Sequence, residues 1–342
     1  MPTLAERLTY PDEIALPPAH LGLKWEPLQA AHAPEVAELV RDCQRYDGAI
    51  ASTSDAELAD MIEGGRGQTV IKAIVGFDHH RKPQALAAVR VPTDATKSVH
   101  ATLEASIAPT WRGRGIGRVV LVWQDHTARK IIHETYGDQS TIGVEISAIV
   151  QGNNDSARSL FVAAGYTPER TFDVMYADLA RPIVTYQLSP DYEFASFPVG
   201  DEREKVRQLH LETFNDHWGD QRDFNDWWES AMASLDLRWS TIVREKATGE
   251  IAGYAVVARP VTRWMLTGIK ELYAELVGVS RKHRGKGLAR AMLSYAVETA
   301  RADGMQRFGL DVDVDNPSGA GQIYTQIGFE PLKNFTYYTV EL

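Results

Sequence analysis

The chain has 342 residues, 44% of them hydrophobic, and 46 acidic against 36 basic side chains give a formal charge of -10. That balance excludes broad nucleic-acid binding, which relies on Lys and Arg neutralising phosphates, and the length fits two cores better than one. The single cysteine, Cys43, excludes an intramolecular disulfide framework; it is expected to be a small buried residue in a reducing cytoplasm.

The first element in chain order is an amphipathic segment, "APEVAELVRDCQRY", with apolar residues near helical spacing. Strands follow at "TVIKAIVGF" and "QALAAVRV", and a further strand over Ala101–Ile107 leads into the loop "WRGRGIGR" and a helix. A late strand, "TIGVEISAIV", feeds a short helix ending at Gly165. The joint "ARPIVTYQLSPDY" carries Pro182 and Pro190, which suits a linker. Then the order begins again. A leading helix is expected at "DEREKVRQLHLETF", strands at "STIVREK", "IAGYAVVARP" and Leu272–Val279, and a second glycine loop at "RKHRGKGLAR". Leu288, Ala289, Met292, Leu293, Ala296, Val297 and Ala300 mark one face of the following helix. The strand "RFGLDVDV" and a short helix ending at Gly328 close the second copy. No stretch approaches the roughly 20 apolar residues of a membrane span, and no secretory leader is expected.

The repetition is direct. "WRGRGIGRVVL" matches "HRGKGLARAML", and "FVAAGYTPERTFDVMYADL" aligns without gaps on "YTQIGFEPLKNFTYYTVEL". Two domains of one α+β fold are therefore expected, over residues 1–180 and 188–342. Each glycine loop precedes a helix, where unpaired amides and the positive end of the helix dipole favour an anion. Glycine lets that backbone approach a phosphate closely. Arg284-x-x-Gly287-x-Ala289 and its twin Arg112-x-x-Gly115-x-Gly117 thus describe pyrophosphate cradles, with Arg284 and Lys286 adding charge. Neither has Walker or Rossmann spacing.

These loops resemble motif A of the GNAT superfamily of acetyl-CoA-dependent N-acetyltransferases. "NNDSARSLFVAAGY" and "DNPSGAGQIYTQIGF" resemble that family's segment downstream. The resemblance implies tandem GNAT domains, each a mixed twisted sheet flanked by helices. It implies that main-chain groups of Val277, Gly278 and Val279 run beside the pantetheine arm of acetyl-CoA. Amides of Arg284, Gly285, Lys286, Gly287, Leu288 and Ala289 would hold the pyrophosphate, with Asn316 beside the cofactor. In the first copy the corresponding residues are Arg112, Gly113, Arg114, Gly115, Ile116 and Gly117. Tyr324 would protonate the leaving thiolate, since a phenol keeps its proton at neutral pH. Its partner in the first copy, Phe161, has no proton to give, so the second domain is expected to be catalytic.

The resemblance also calls for a base to deprotonate the amine. Glu275 alternates with Val277 and Val279 and is expected to share their face unless a bulge intervenes; Glu271 is the second choice. His217, in "DHWG", is a rival with a naturally suited pKa. "DVDVDNPSG" mimics an EF-hand start but lacks the required Gly and Glu, and His79-His80 completes no metal spacing, so no metal is expected. Trp218, Trp227 and Trp228 are either core or pocket. The expected activity is direct acetyl transfer from acetyl-CoA to the primary amine of a small molecule. Protein lysine acetylation and non-catalytic acyl-CoA binding are the alternatives. No nucleic acid or membrane partner is expected, and the chain is expected to work in the cytoplasm as a monomer or weak homodimer.

Overall fold

The structure, a computed structural model, describes residues 2–49, 53–214, 221–316 and 319–342. The chain divides into two compact units, residues 1–170 with 335–342, and residues 171–334. In chain order the elements are α1 (Leu4–Arg7), β1 (Lys24–Pro27), α2 (Ala33–Asp47), α3 (Asp55–Glu63), β2 (Thr69–Phe77), β3 (Pro83–Pro92), β4 (Ser98–Ile107), α4 (Ile116–Tyr136), β5 (Gly143–Gln151), α5 (Asp155–Ala163) and β6 (Thr167–Asp178). There follow β7 (Tyr192–Ser196), α6 (Asp201–Phe214), α7 (Gln221–Ser234), β8 (Thr241–Glu245), β9 (Ile251–Ala258), α8 (Val261–Thr267), β10 (Glu271–Val279), α9 (Leu288–Ala302), β11 (Arg307–Asp313), α10 (Ala320–Ile327) and β12 (Glu330–Glu341).

In the first unit the strands lie in the order β1-β2-β3-β4-β5-β12. β4 and β5 are parallel and joined through α4, as a parallel crossover requires. Alternation along β3 sorts its side chains between two helical layers. Ala87 and Val89 pack with Ile116, Val120 and Leu121 of α4, whereas Leu86 and Ala88 pack with Val36 and Val40 of α2 and Leu58 and Met61 of α3. Ser54 and Glu57 start α3 with reciprocal side-chain to backbone bonds of 3.1 and 2.7 Å.

The second unit repeats this plan as β6-β11-β10-β9-β8-β7, with β10 and β11 parallel through α9. Leu293, Ala296 and Val297 of α9 pack on Leu272, Ala274, Phe308 and Leu310. Full burial of side chains of this size is worth about 1.5–3 kcal/mol each. On the opposite face Val206 and Leu209 of α6 and Trp228 of α7 pack on Tyr254, Val256 and Leu276. Trp228 is thus core.

The units differ from the sequence halves 1–180 and 188–342 because the terminal strands are exchanged. β12, the last strand of the second copy, pairs with β5 through Phe335–Glu341 in the first unit. β6, the last strand of the first copy, pairs with β11 through Phe172–Asp178 in the second. The two strands have nearly the same pattern, so either satisfies either site.

In both units the central parallel pair opens partway along. β4 and β5 pair from Ser98 and Gly143 to Thr102 and Ser147, and β10 and β11 from Glu271 and Arg307 to Ala274 and Leu310. Beyond those residues the strands run on unpaired with each other. Each glycine loop stands where the strand leaving this splay reaches its helix.

Candidate active site

The loop backbone is preorganised. Gly285 and Gly287 both have φ +76°, and Gly113 and Gly115 have +76° and +84°. A Cβ at any of the four would meet nothing within 4 Å, so backbone conformation rather than crowding asks for glycine. The same openness leaves the loop face free for a ligand. Apart from the Arg118 amide, which donates to the Gly115 carbonyl at 3.1 Å, the amides that open α4 and α9 precede the first full helical turn and have no intrahelical acceptor. The splay also leaves the edge of β10 from Glu275 to Val279 unpaired with β11 while its other edge stays on β9. An amide loop at a helix start beside a free strand edge fits an anionic, extended cosubstrate such as acetyl-CoA. Gly278 is demanded by packing: a Cβ there would lie 2.3 Å from the ring of Tyr254, which is fully buried and bonded at 2.8 Å to Nδ1 of His210.

The basic side chains of the loops behave differently from expectation. Arg112 turns back into the protein, donating to the Ile107 carbonyl at 2.9 Å and to both Asp47 oxygens at 2.5 and 2.8 Å. Arg284 donates to the carbonyls of Val279 and Thr213 at 3.4 and 3.3 Å. Lys286 gives its ammonium to the Tyr192 hydroxyl at 2.8 Å, and that hydroxyl also meets Nδ1 of the buried His283 at 2.9 Å. In each unit the loop arginine ties the loop to its own strand and to the end of the first long helix. The extended motif needs arginine because one fork can satisfy both anchors.

Glu275 is the residue at which β10 bulges: Ala274 opposes Val257 and Leu276 opposes Val256, which leaves Glu275 unmatched. The expectation that it shares a face with Val277 and Val279 is therefore corrected. Those valines pack with Leu288 and Met292 of α9, and Leu276 packs on the α6–α7 side. Glu275 lies on that second side, with Asp311 and Arg263 as its charged neighbours. Protein atoms crowd it on most sides, yet it opens to solvent. Burial and then the Asp311 carboxylate push its pKa up to about 7, and Arg263 opposes them. Glu271, the second choice for the base, is fully buried and held by Arg263 at 2.6 Å and by Arg307. It is a structural ion-pair centre. His217 and Trp218 lie outside the described residues.

Tyr324 projects from α10, partly buried against the α9 core, with its ring 6.1 Å from Phe329. Burial pushes its pKa up to about 12, which keeps the phenol protonated at neutral pH. Among the described residues its hydroxyl has no hydrogen-bond partner. Asn316 occupies the turn between β11 and α10, with its carbonyl accepting from the Gly319 amide at 3.2 Å.

In the first unit the splay opens into a cleft of about 1170 Å³. Its walls include Glu104 of β4, Ile149 of β5, Phe161 of α5 and the loop from Trp111 to Arg118. Glu104 stands at the place of the bulged glutamate, on a strand whose register is regular. Burial raises its pKa, and Arg90, 3.9 Å away, opposes the rise. Cys43 also lines the cleft, 3% exposed, and burial pushes its thiol up to about 11, so it is an inert apolar filler. Among the described residues no helix is long and apolar enough to cross a membrane.

Sequence reading missed Asp311, which it saw only inside a false EF-hand, and the Arg112–Asp47 clamp. The alternation "LDVDVD" was the available signal for the first: every second residue is a carboxylate on the side away from α9.

Two layered units, each with a splayed parallel pair and an amide loop opening a helix, share the fold of solved tandem GNAT proteins. The sequence pattern of the acetyltransferase (GNAT) family matches residues 203–329, in the second unit. It is similar to a mycothiol acetyltransferase of Thermobifida fusca, 25% identical over 89% of this chain and 92% of the relative. A mycothiol acetyltransferase of Thermobispora bispora is 27% identical over 66% of this chain and 71% of its own. Among solved structures, a GCN5-related N-acetyltransferase from Sphaerobacter thermophilus has a TM-score of 0.71 at 21% identity, covering 97% of each chain. A tandem GNAT protein from the clavulanic acid biosynthesis pathway has 0.70 at 17% identity, covering 93% of this chain and 98% of the other.

Proposed function

We propose that the protein transfers the acetyl group of acetyl-CoA to the primary amine of a small molecule, and that the second unit does the chemistry. One observation carries this reading. The unit that matches the family pattern has a splayed strand pair, an amide loop at its open end, a solvent-open carboxylate at its apex and a protonated phenol on α10.

Acetyl-CoA supplies an acetyl thioester, whose carbonyl carbon is the electrophile. Amides of Gly285 to Ala289 hold its pyrophosphate, and the freed edge of β10 aligns its arm. Glu275 accepts a proton from the acceptor ammonium, which frees the nitrogen lone pair to attack. As the carbon–sulfur bond breaks, Tyr324 gives its proton to the sulfur. The second proton of the new amide nitrogen leaves to solvent and tyrosinate recovers one, so one proton is released for each turnover. A base with a pKa near 7 suits this exchange because it takes and returns a proton at neutral pH.

The first unit binds a CoA-like ligand without transferring its acyl group. Its cleft has the volume and the loop, but Phe161 stands at the acid position. The likeness to mycothiol acetyltransferases makes the amine precursor of mycothiol the first acceptor to try. The test is CoA release across a panel of small amines that includes this precursor, with a lysine peptide as control. Release with at least one small amine supports the reading. Acetylation of the peptide alone would replace it by protein acetylation, and no release at all would leave acyl-CoA binding.

A further inference from the structure

The strand ladder places a second carboxylate beside Glu275. Ala274 and Leu310 are the last paired residues before β10 and β11 part, so Glu275 and Asp311 come next on each strand and form the apex. Phe308, Leu310 and Val312 point into the α9 core, which sends Asp311 to the other face. Both carboxylates open to solvent there. The Tyr273 hydroxyl donates to Oδ1 of Asp311, and the Arg263 guanidinium lies 4.3 Å above the Tyr273 ring. Tyr273 in turn packs against Tyr176 across Gly309, where a Cβ would come within 2.5 Å of Tyr176 and 2.7 Å of Tyr273. This framework fixes Asp311 from below. Arg263 and Arg307 are engaged by Glu271. Among the described residues neither Glu275 nor Asp311 forms an ion pair.

We propose that Asp311 is a specificity and positioning residue for the acceptor: with Glu275 it forms a carboxylate pair that receives the ammonium of a cationic amine. Asp311 holds the charge and Glu275 takes the proton. This rests on the amine-acetylation reading above. An ammonium has three donors and can satisfy both carboxylates at once. Two neighbouring carboxylates resist double ionisation until a cation arrives, so the empty pair retains a proton near neutral pH. The asymmetry within the pair follows from Tyr273. Its hydrogen bond favours the ionised form of Asp311, and nothing equivalent supports Glu275. Among the described residues, the other titratable or charged groups on this face include Arg263, Arg307, Glu271, Asp313, Tyr176 and Tyr273, with His210 of α6 bonded beneath to Tyr254. The first unit provides the contrast. Its burial pattern along β5 puts Ile149, 53% exposed, at the position of Asp311.

The test joins a titration to kinetics. The Glu275 carboxyl is followed by carbon-13 NMR in the full-length wild type and in Asp311→Asn, with Glu275→Gln assigning the signal. Asn keeps an acceptor for Tyr273 and removes the charge. Its Glu275 midpoint should fall by about one pH unit, the scale of a nearby like charge. Ethylammonium chloride should lower the wild-type midpoint and leave that of Asp311→Asn in place. In turnover, Asp311→Asn should raise KM for the amine about tenfold, leave KM for acetyl-CoA alone and move the acidic limb of kcat/KM to lower pH. Asp311→Glu should restore part of the amine affinity. An unchanged Glu275 midpoint in Asp311→Asn, or equal changes in both KM values, overturns the pair. If the wild type acetylates no amine, the acetyl-transfer reading fails, and the ethylammonium titration still decides whether the pair binds a cation.

Discussion

The two units carry nearly the same scaffold, and of three equivalent positions around the splay they differ at the last two. The first has Glu104, Ile149 and Phe161; the second has Glu275, Asp311 and Tyr324. Each difference removes a polar group from the first unit, while the glycine loop survives in both. The hydroxyl has also moved within the aromatic pair of the short helix and the strand after it. Phe161 packs at 5.2 Å on Tyr166, where the second unit has Tyr324 at 6.1 Å from Phe329. The Tyr166 hydroxyl is buried, and burial and then Asp125 raise its pKa, so it does not replace the acid. A scaffold that binds through main-chain amides tolerates side-chain loss in the binding function and loses chemistry first.

The largest expected effect concerns the exchanged strands. Deleting residues 335–342 removes the partner of β5 from Gln151 to Glu145, along with the Leu342 carbonyl that Arg7 contacts. A calorimetric scan of this variant should lose the transition of the first unit and keep that of the second. Two intact transitions would mean that the units are separable sequence halves after all.

Tyr324→Phe comes next, because it makes the second unit resemble the first. Turnover should fall by about 10²–10³ with acetyl-CoA affinity unchanged, since the proton is needed only as the sulfur leaves. Adding Phe161→Tyr should restore nothing, because Ile149 leaves the first apex without its second carboxylate. Recovery in the double variant would show that the acid alone separates the units.

Much of this comparison was legible in the sequence. The helix at "APEVAELVRDCQRY" and the strands flanking each loop follow from periodicity, and they appear in the structure within three residues at each end. The repeat exposed Phe161 opposite Tyr324. What stayed hidden depends on contacts between segments distant in the chain. The bulge at Glu275 is set by pairing with β9, and no residue type in "LYAELVGV" marks it. The strand exchange is invisible because β6 and β12 carry interchangeable patterns. Asp47, 65 residues before its arginine, has no local signal at all.

The loop arginines sharpen the comparison further. Arg112 and Asp47 are largely withdrawn from solvent, with side chains 27% and 22% exposed, and their contact is bidentate. Arg112→Ala should cost the first unit roughly 2–3 kcal/mol, because Asp47 is left without its counter-charge. Arg284→Ala should destabilise the second unit as well, because the carbonyls of Val279 and Thr213 lose a donor at 3.4 and 3.3 Å. Denaturant melts of the two variants check both losses. No loss in either variant would deny its arginine a structural role.

The smallest effect is a pH-dependent one, and its sign follows from the apex. Glu275 has an ordinary value near 4.5 in the unfolded chain and about 7 in the fold. A carboxyl raised by folding leaves the native state best supported below 4.5, and that support is lost as pH climbs through 7. Glu275→Gln stays neutral throughout. Relative to wild type it should therefore gain nothing near pH 4.5 and become more stable above pH 7. The open position keeps the gain below about 1 kcal/mol. Glu104→Gln should gain less, because removing that carboxylate also removes the neighbour of Arg90. Chemical denaturation at pH 5, 6.5 and 8 reads both variants. A constant offset across pH for Glu275→Gln would mean that its carboxylate pays no penalty beside Asp311, and the apex of the second unit would then differ from the first in shape alone.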